Sequence, residues 1–86
     1  MISFILICKN ESYNIDACIQ MVLKTIELHK NLSFEIIYVD SNSTDNTLEI
    51  VLNYHNISVY KINSKSNAAI ARNVGATNAK GEILFF

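Results

Sequence analysis

The chain has 86 residues, half of them apolar and 17% charged, with a formal net charge of −1. That length allows one small domain or a piece of a larger one, and that balance is globular rather than disordered. No run of lysine or arginine offers a footprint for nucleic acid or an anionic membrane. The apolar opening at residues 1–8 is too short to cross a bilayer, and it lacks the basic start and cleavage site of a secretion signal. Cys8 and Cys18 have neither a C-x-x-C spacing nor partners for zinc, and are expected to be buried, reduced thiols.

Ile2–Cys8 is a near-continuous apolar run, the pattern of a strand covered on both faces in a parallel sheet. Asn10, Glu11 and Ser12 break it. Ile15, Cys18, Ile19, Val22, Leu23 and Ile26 then recur at helical spacing, with Asn14 as the expected N-cap and a fade near residues 29–31. Residues 34–39 form a second strand, β-branched and aromatic, followed by a polar turn from Asp40 to Asp45. A second helix is expected over 47–54, with Leu48, Val51 and Leu52 inward. Asn46 and Glu49 have a capping-box-like spacing there. Ile57–Ile62 is a third strand and 63–67 a polar stretch. An alanine-rich third helix is expected over 68–80, stopped at Lys80-Gly81, and a fourth strand opens at 82–86.

The order β-α-β-α-β-α-β predicts an α/β fold. It has three layers, a Rossmann-like parallel sheet with helices on both faces. No repeat, low-complexity segment or linker interrupts it. In such sheets ligands bind beyond the carboxyl ends of the strands. Lys9, Asn10 and Glu11 follow the first strand, Asp40, Ser41 and Asn42 follow the second, and the third helix brings Arg72. The first βα turn has no glycine, and the chain holds only Gly75 and Gly81. This excludes both the dinucleotide fingerprint and the P-loop. A nucleotide bound here would be held by side chains.

Three blocks carry a family resemblance. S-F-I-L-I-C-K-N-E (3–11) is similar to the opening S-V-I-I-P-x-Y-N-E of family 2 glycosyltransferases. F-E-I-I-Y-V-D-S-N-S-T-D-N-T (34–47) is similar to their F-E-I-I-V-V-D-D-G-S-T-D-x-T. A-A-I-A-R-N-V-G-A-x-x-A-K-G-E-I-L-F-F (68–86) is similar to their A-x-A-R-N-x-G-x-x-x-A-x-G-E-x-I-x-F, which runs into L-D-x-D. The resemblance implies a partial GT-A fold. Residues 1–86 would be the N-terminal nucleotide-sugar-binding part of a glycosyltransferase domain, ending before the D-x-D motif. It implies a nucleotide-diphosphate-sugar donor, uridine or thymidine first, and a glycan or lipid acceptor. It further implies a divalent cation (manganese or magnesium) whose ligands lie outside this chain, and a cytoplasmic location, at the membrane's cytoplasmic face for a full-length enzyme.

The expected donor-binding residues are Ile7, Lys9, Asn10, Glu11, Asp40, Ser41, Asn42 and Arg72. In the family, Asp40 and the next position line the base and ribose pocket, and an Asp at that next position can accept from the N3–H of uracil or thymine. Ser41 stands where the family has a second Asp and can donate or accept. Lys9 and Ile7 replace the family's tyrosine and proline. Arg72 offers a guanidinium fork to a diphosphate or a neighbouring carboxylate. Each has a plainer role beside it: a turn cap for Asp40, loop structure for Asn10 and Glu11, solvation for Lys9, a surface ion pair for Arg72. Ser43, Thr44 and Asp45 are expected to cap the helix they precede, and the tyrosines and phenylalanines to pack. No catalytic role falls on any residue, His29 and His55 included, and the 86 residues alone are not expected to transfer sugar. The open sheet edge predicts self-association. Two other classes stay open: a receiver-like phospho-acceptor domain with Asp40 as acceptor, and a non-catalytic α/β interaction module.

Overall fold

A computed structural model describes residues 1–62 and 68–85. The expected polar stretch at 63–67 and Phe86 lie outside the described residues. Strands β1 (Ile2–Cys8), β2 (Phe34–Ser41), β3 (Ile57–Ile62) and β4 (Ile83–Phe85) alternate with helices α1 (Ile15–Leu28), α2 (Thr47–Leu52) and α3 (Ala68–Asn78). All neighbouring strands pair in parallel, in the order β3-β2-β1-β4. Tyr38 and Val39 in β2 are wholly buried, as a central strand flanked on both faces should be.

The chain steps one way across the sheet from β1 to β3, then reverses to place β4 on the far side of β1. Right-handed crossovers put helices of opposite step direction on opposite faces. Two apolar clusters match this. Ile15, Ile19 and Val51 of α1 and α2 pack with Ile36, Tyr38 and Ile57. Ala71 of α3 packs with Ile5, Ile37 and Val39. The layers are therefore α1/α2, sheet and α3. Parallel topology also places the start of every helix at the carboxyl edge of the sheet. The reversal puts the switch in strand order between β1 and β4, the place where ligands bind in such sheets.

Gly75 brings α3 close. A Cβ there would collide with Ile5 Cγ2 and sit 3.6 Å from Val39 Cγ2. Gly81 does similar work at the amino edge, where a Cβ would meet Ser3 Oγ at 2.5 Å and Met1 O at 2.7 Å. No glycine has a positive φ, so Gly81 is not the left-handed helix stop expected of it. α3 ends at Asn78, and close approach is what position 81 requires. Buried Ser3 donates to Glu35 Oε2 at 2.5 Å and accepts Gly81 N–H at 3.0 Å, while Lys80 N–H reaches the same carboxylate at 2.5 Å. Together these groups hold the turn into β4 against β1.

Three expected details differ. Cys18 is exposed and Cys8 half-buried, both free. Cys18 falls on the flank of the stripe led by Ile15 and Ile19, one helical position too far round to reach the sheet. Leu52 is 57% exposed. α2 is short, and Thr47 and Val51, one turn apart, already fill its inward face. Neither Asn14 nor Asn46 makes a side-chain cap. The main-chain oxygen of Glu11 accepts the first amides of α1 at 2.8 and 2.9 Å, and Asp45 Oδ1 accepts Thr47 N–H at 3.0 Å.

Candidate functional site

At the carboxyl edge, the turns after β1 and β2 are joined into one ridge. Asn10 and Asn42 both take left-handed backbone, φ 54° and 60°, which asparagine tolerates better than most residues. The φ at Asn42 gives a backbone reason for the glycine that the family pattern has there. Asn10 Oδ1 accepts Thr44 N–H at 2.7 Å and Asp45 N–H at 3.3 Å. In return, Asn10 N–H donates to Ser43 Oγ at 3.0 Å, Glu11 N–H to Thr47 Oγ1 at 2.9 Å, and Ser12 N–H to Asp45 Oδ2 at 3.3 Å. The hydroxyl of Thr47 donates to Asp45 Oδ1, and this bond is the main reason the Asp45 carboxyl is held below its ordinary range. Ser43, Thr44 and Asp45 thus divide their work. Asp45 caps α2 and also binds the first turn, whereas Ser43 and Thr44 bind the first turn without capping α2.

Alternation along β2 sends the side chains of Asp40 and Ser41 to opposite faces. Asp40 follows Tyr38 onto the α1/α2 side. Ser41 follows Val39 onto the α3 side, level with Ile62, while Ile7 pairs with Val39 one step before it on the same face. Asp40 is fully buried. Its Oδ1 accepts the Tyr38 hydroxyl at 2.6 Å and its Oδ2 accepts Ser43 N–H at 2.9 Å. Burial, reinforced by that bond to Asp40, pushes the Tyr38 phenol well above its usual range. Burial also raises the neighbouring Cys8 thiol to about 11, with charges at Cys18, Glu11 and Asp40 adding to the effect. Cys8 therefore stays a protonated, unreactive thiol at neutral pH.

The remaining expected residues stay open to solvent. Lys9, Asn10 and Glu11 are exposed, and Ile7, Ser41 and Asn42 partly so. Arg72 is the fifth residue of α3, about 6 Å along its axis from the carboxyl-edge end, and is exposed. Lys9 and Arg72 make no hydrogen bond or ion pair with the described residues. Asn10, by contrast, has its side-chain oxygen occupied within the ridge. Among the described residues no group of three or more His, Cys, Asp or Glu is gathered to hold a metal ion. A phospho-acceptor role for Asp40 would need an open carboxylate, and this one is sealed.

Two participants were not legible as such from sequence. Tyr38 was expected to pack, and it also bonds Asp40; the i, i+2 spacing on one strand face was the available signal. Thr47 opens α2 as its position in the sequence implies, and its hydroxyl also bridges both turns, accepting Glu11 N–H and donating to Asp45. At the opposite, amino edge, an open apolar groove of about 360 Å³ is lined by Ile2, Phe4, Thr25, His29, Leu32 and Phe34. Phe4 and Phe34 stack there at 5.7 Å between ring centroids. It lies at the wrong end of the strands for the switch-point site.

A doubly wound parallel sheet, with a polar ridge joining the turns after β1 and β2 at its carboxyl edge, defines a Rossmann-like α/β fold. The chain belongs to glycosyl transferase family 2, whose sequence profile matches residues 3–86. It is 30% identical over 89 aligned positions to Glycosyltransferase AglE of Haloferax volcanii, covering 99% of this chain. The chain spans 29% of the length of that relative. No helix among the described residues is long and apolar enough to cross a membrane.

Proposed function

We propose that these residues bind the donor of a glycosyltransferase that moves a sugar from a nucleotide diphosphate to a glycan or lipid acceptor. One observation carries this. The carboxyl edge holds a preformed polar ridge, with exposed Lys9 in the turn after β1 and exposed Arg72 in the second turn of α3, neither bonded to a described residue. Ile7, Ser41 and Arg72 share the α3 side of that edge and would receive the base and diphosphate. Lys9, Glu11 and Asn42 border the pocket from the ridge, while Asn10 and Asp40 hold it in shape.

In glycosyl transfer an acceptor hydroxyl oxygen bonds to the anomeric carbon and gives up its proton to a base, the C–O bond from that carbon to the nucleotide diphosphate breaks, and negative charge gathers on the departing diphosphate. Fixed cations at that position stabilise the charge as it forms. Arg72 suits this role because its planar fork can bind two phosphate oxygens at once. A divalent cation at the diphosphate belongs to the same proposal, with ligands outside the described residues. We also expect copies of the chain to associate through the edge of β4 that pairs with no described strand; a clean monomer by light scattering at high concentration would count against this.

A thermal-shift panel with uridine, thymidine, guanosine and cytidine diphosphates tests the donor site. A ligand at a hundred times its dissociation constant stabilises by about 2.7 kcal/mol, which at this chain length raises the melting point by roughly 10 °C or more. Arg72→Gln should remove that shift without lowering the melting point of the free protein. A panel flat for every nucleotide would sink the donor-site assignment for these residues.

A further inference from the structure

The turn after β1 is tied to the core by one line of hydrogen bonds. Tyr38 and Asp40 lie on one face of β2, and both are fully buried. The Tyr38 hydroxyl donates to Asp40 Oδ1 at 2.6 Å, Ser43 N–H donates to Asp40 Oδ2 at 2.9 Å, and Asn10 N–H donates to Ser43 Oγ at 3.0 Å. Each carboxylate oxygen is thus engaged, one by the core and one by the turn after β2. Burial keeps the Tyr38 phenol protonated, so it remains a donor. The Ser43 side chain acts on the same phenol, as the one influence that pulls its pKa down.

The line ends beside Lys9. Asn10 turns the chain there with a φ of 54°, and a residue other than glycine keeps that backbone only where its surroundings fix it. Its side-chain oxygen is fixed by Thr44 N–H and Asp45 N–H. Its own N–H, on the peptide shared with Lys9, is fixed by Ser43. Lys9 is exposed and bonds to no described residue, so its direction comes from the backbone that carries it. We propose that Tyr38 is a positioning residue: by anchoring Asp40 it holds Ser43 and Asn10 in place, and so aims Lys9 at the donor diphosphate. This rests on the donor-site reading above. Tyr38 touches no ligand and acts through the residues of the line.

Tyr38→Phe keeps the ring and deletes the hydroxyl. Calorimetric titration with uridine diphosphate and 15N spectra of the same variant test the proposal, with circular-dichroism melts to show that it is folded. The Asn10 amide should lose its hydrogen bond, read as an upfield shift and faster exchange. Affinity for uridine diphosphate should fall about fivefold, the worth of one hydrogen bond. Lys9→Gln should cost the native protein a similar factor and cost the Tyr38→Phe variant far less, because a lysine no longer aimed has little to lose. A Tyr38 that only stabilises the core would lower the melting point and leave the Lys9 effect whole. Losses at 38 and 9 that simply multiply, or an unchanged Asn10 amide, therefore overturn the proposal. If Tyr38→Phe does not fold, Ser43→Ala breaks the same line nearer the surface and carries the same expectations. Native protein that binds no uridine diphosphate overturns the donor site and the role of Tyr38 in it, whereas binding with independent losses overturns the role of Tyr38 alone.

Discussion

Replacing Gly75 by alanine tests the packing that brings α3, and Arg72 on it, to the switch point. Alanine is the better helix former by about 1 kcal/mol, so an uncrowded site would gain stability. Position 75 is crowded. The added methyl would run into Ile5 Cγ2, and Ile5 is 1% exposed in a central strand, with a β-branched side chain stiff at χ1. Overpacking of this kind costs about 1–3 kcal/mol. The helix gain offsets part of that, leaving a net loss of about 1 kcal/mol, or roughly 4–8 °C in melting temperature at this chain length. Urea unfolding followed by circular dichroism measures it. The same substitution made in an Ile5→Ala background, which removes the opposing methyl, should cost nothing and can stabilise. A Gly75→Ala variant as stable as the parent, or two substitutions that add without coupling, would refute the close-approach account of α3.

Asn42 sits at φ 60°, so Asn42→Ala should destabilise by about 1 kcal/mol, whereas Asn42→Gly should be neutral or better; chemical denaturation of the pair compares them. Glu35 has its carboxyl pKa lowered, first by the Ser3 hydroxyl and then by the amides of Lys80 and Gly81. A lowered folded pKa means the contribution is complete above the unfolded value of about 4.3 and is lost as pH falls through the folded pKa. The melting temperature of the parent should therefore fall more steeply than that of Glu35→Gln as pH drops from 5 toward 3, and parallel curves would contradict the Ser3–Glu35 clasp. Iodoacetamide at pH 8 should alkylate Cys18 first. Cys8, half-buried with its thiol raised to about 11, should react fast only after unfolding, as peptide mass spectrometry would show.

Much of the fold was legible because apolar runs and helical stripes are strong local signals. Ile2–Cys8 and Ile57–Ile62 stand where the runs placed them, and all seven elements occur in the expected order. Element ends were less legible because they depend on tertiary contacts. β2 continues through Asp40 and Ser41 because β1 and β3 keep pairing with it there. α2 stops at Leu52, its inward face already supplied by Thr47 and Val51. Cap assignments failed because capping was judged from adjacent residues. At α1 a main-chain carbonyl does the work, and at α2 a residue one position earlier does.

The site was legible as a location more than as a set of roles. Topology alone placed Lys9–Glu11, Asp40–Asn42 and Arg72 at one edge. It could not show that Asn10 would be drawn into the loop-to-loop ridge, since those bonds join residues more than thirty positions apart. Nor could it show that Tyr38 would bond Asp40, because a buried tyrosine in a strand usually packs. Strand alternation does predict that Asp40 and Ser41 face opposite ways, Asp40 toward the ridge and Ser41 toward the α3 side.

The most direct test of the donor site is a nuclear magnetic resonance titration of the 15N-labelled protein with uridine diphosphate. Shift changes should concentrate on the amides of residues 7–11, 41–45 and the first turns of α3, with the Arg72 side chain among them. Changes centred instead on the groove around Phe4, His29 and Phe34, or no saturable change at all, would contradict a donor site at the carboxyl edge.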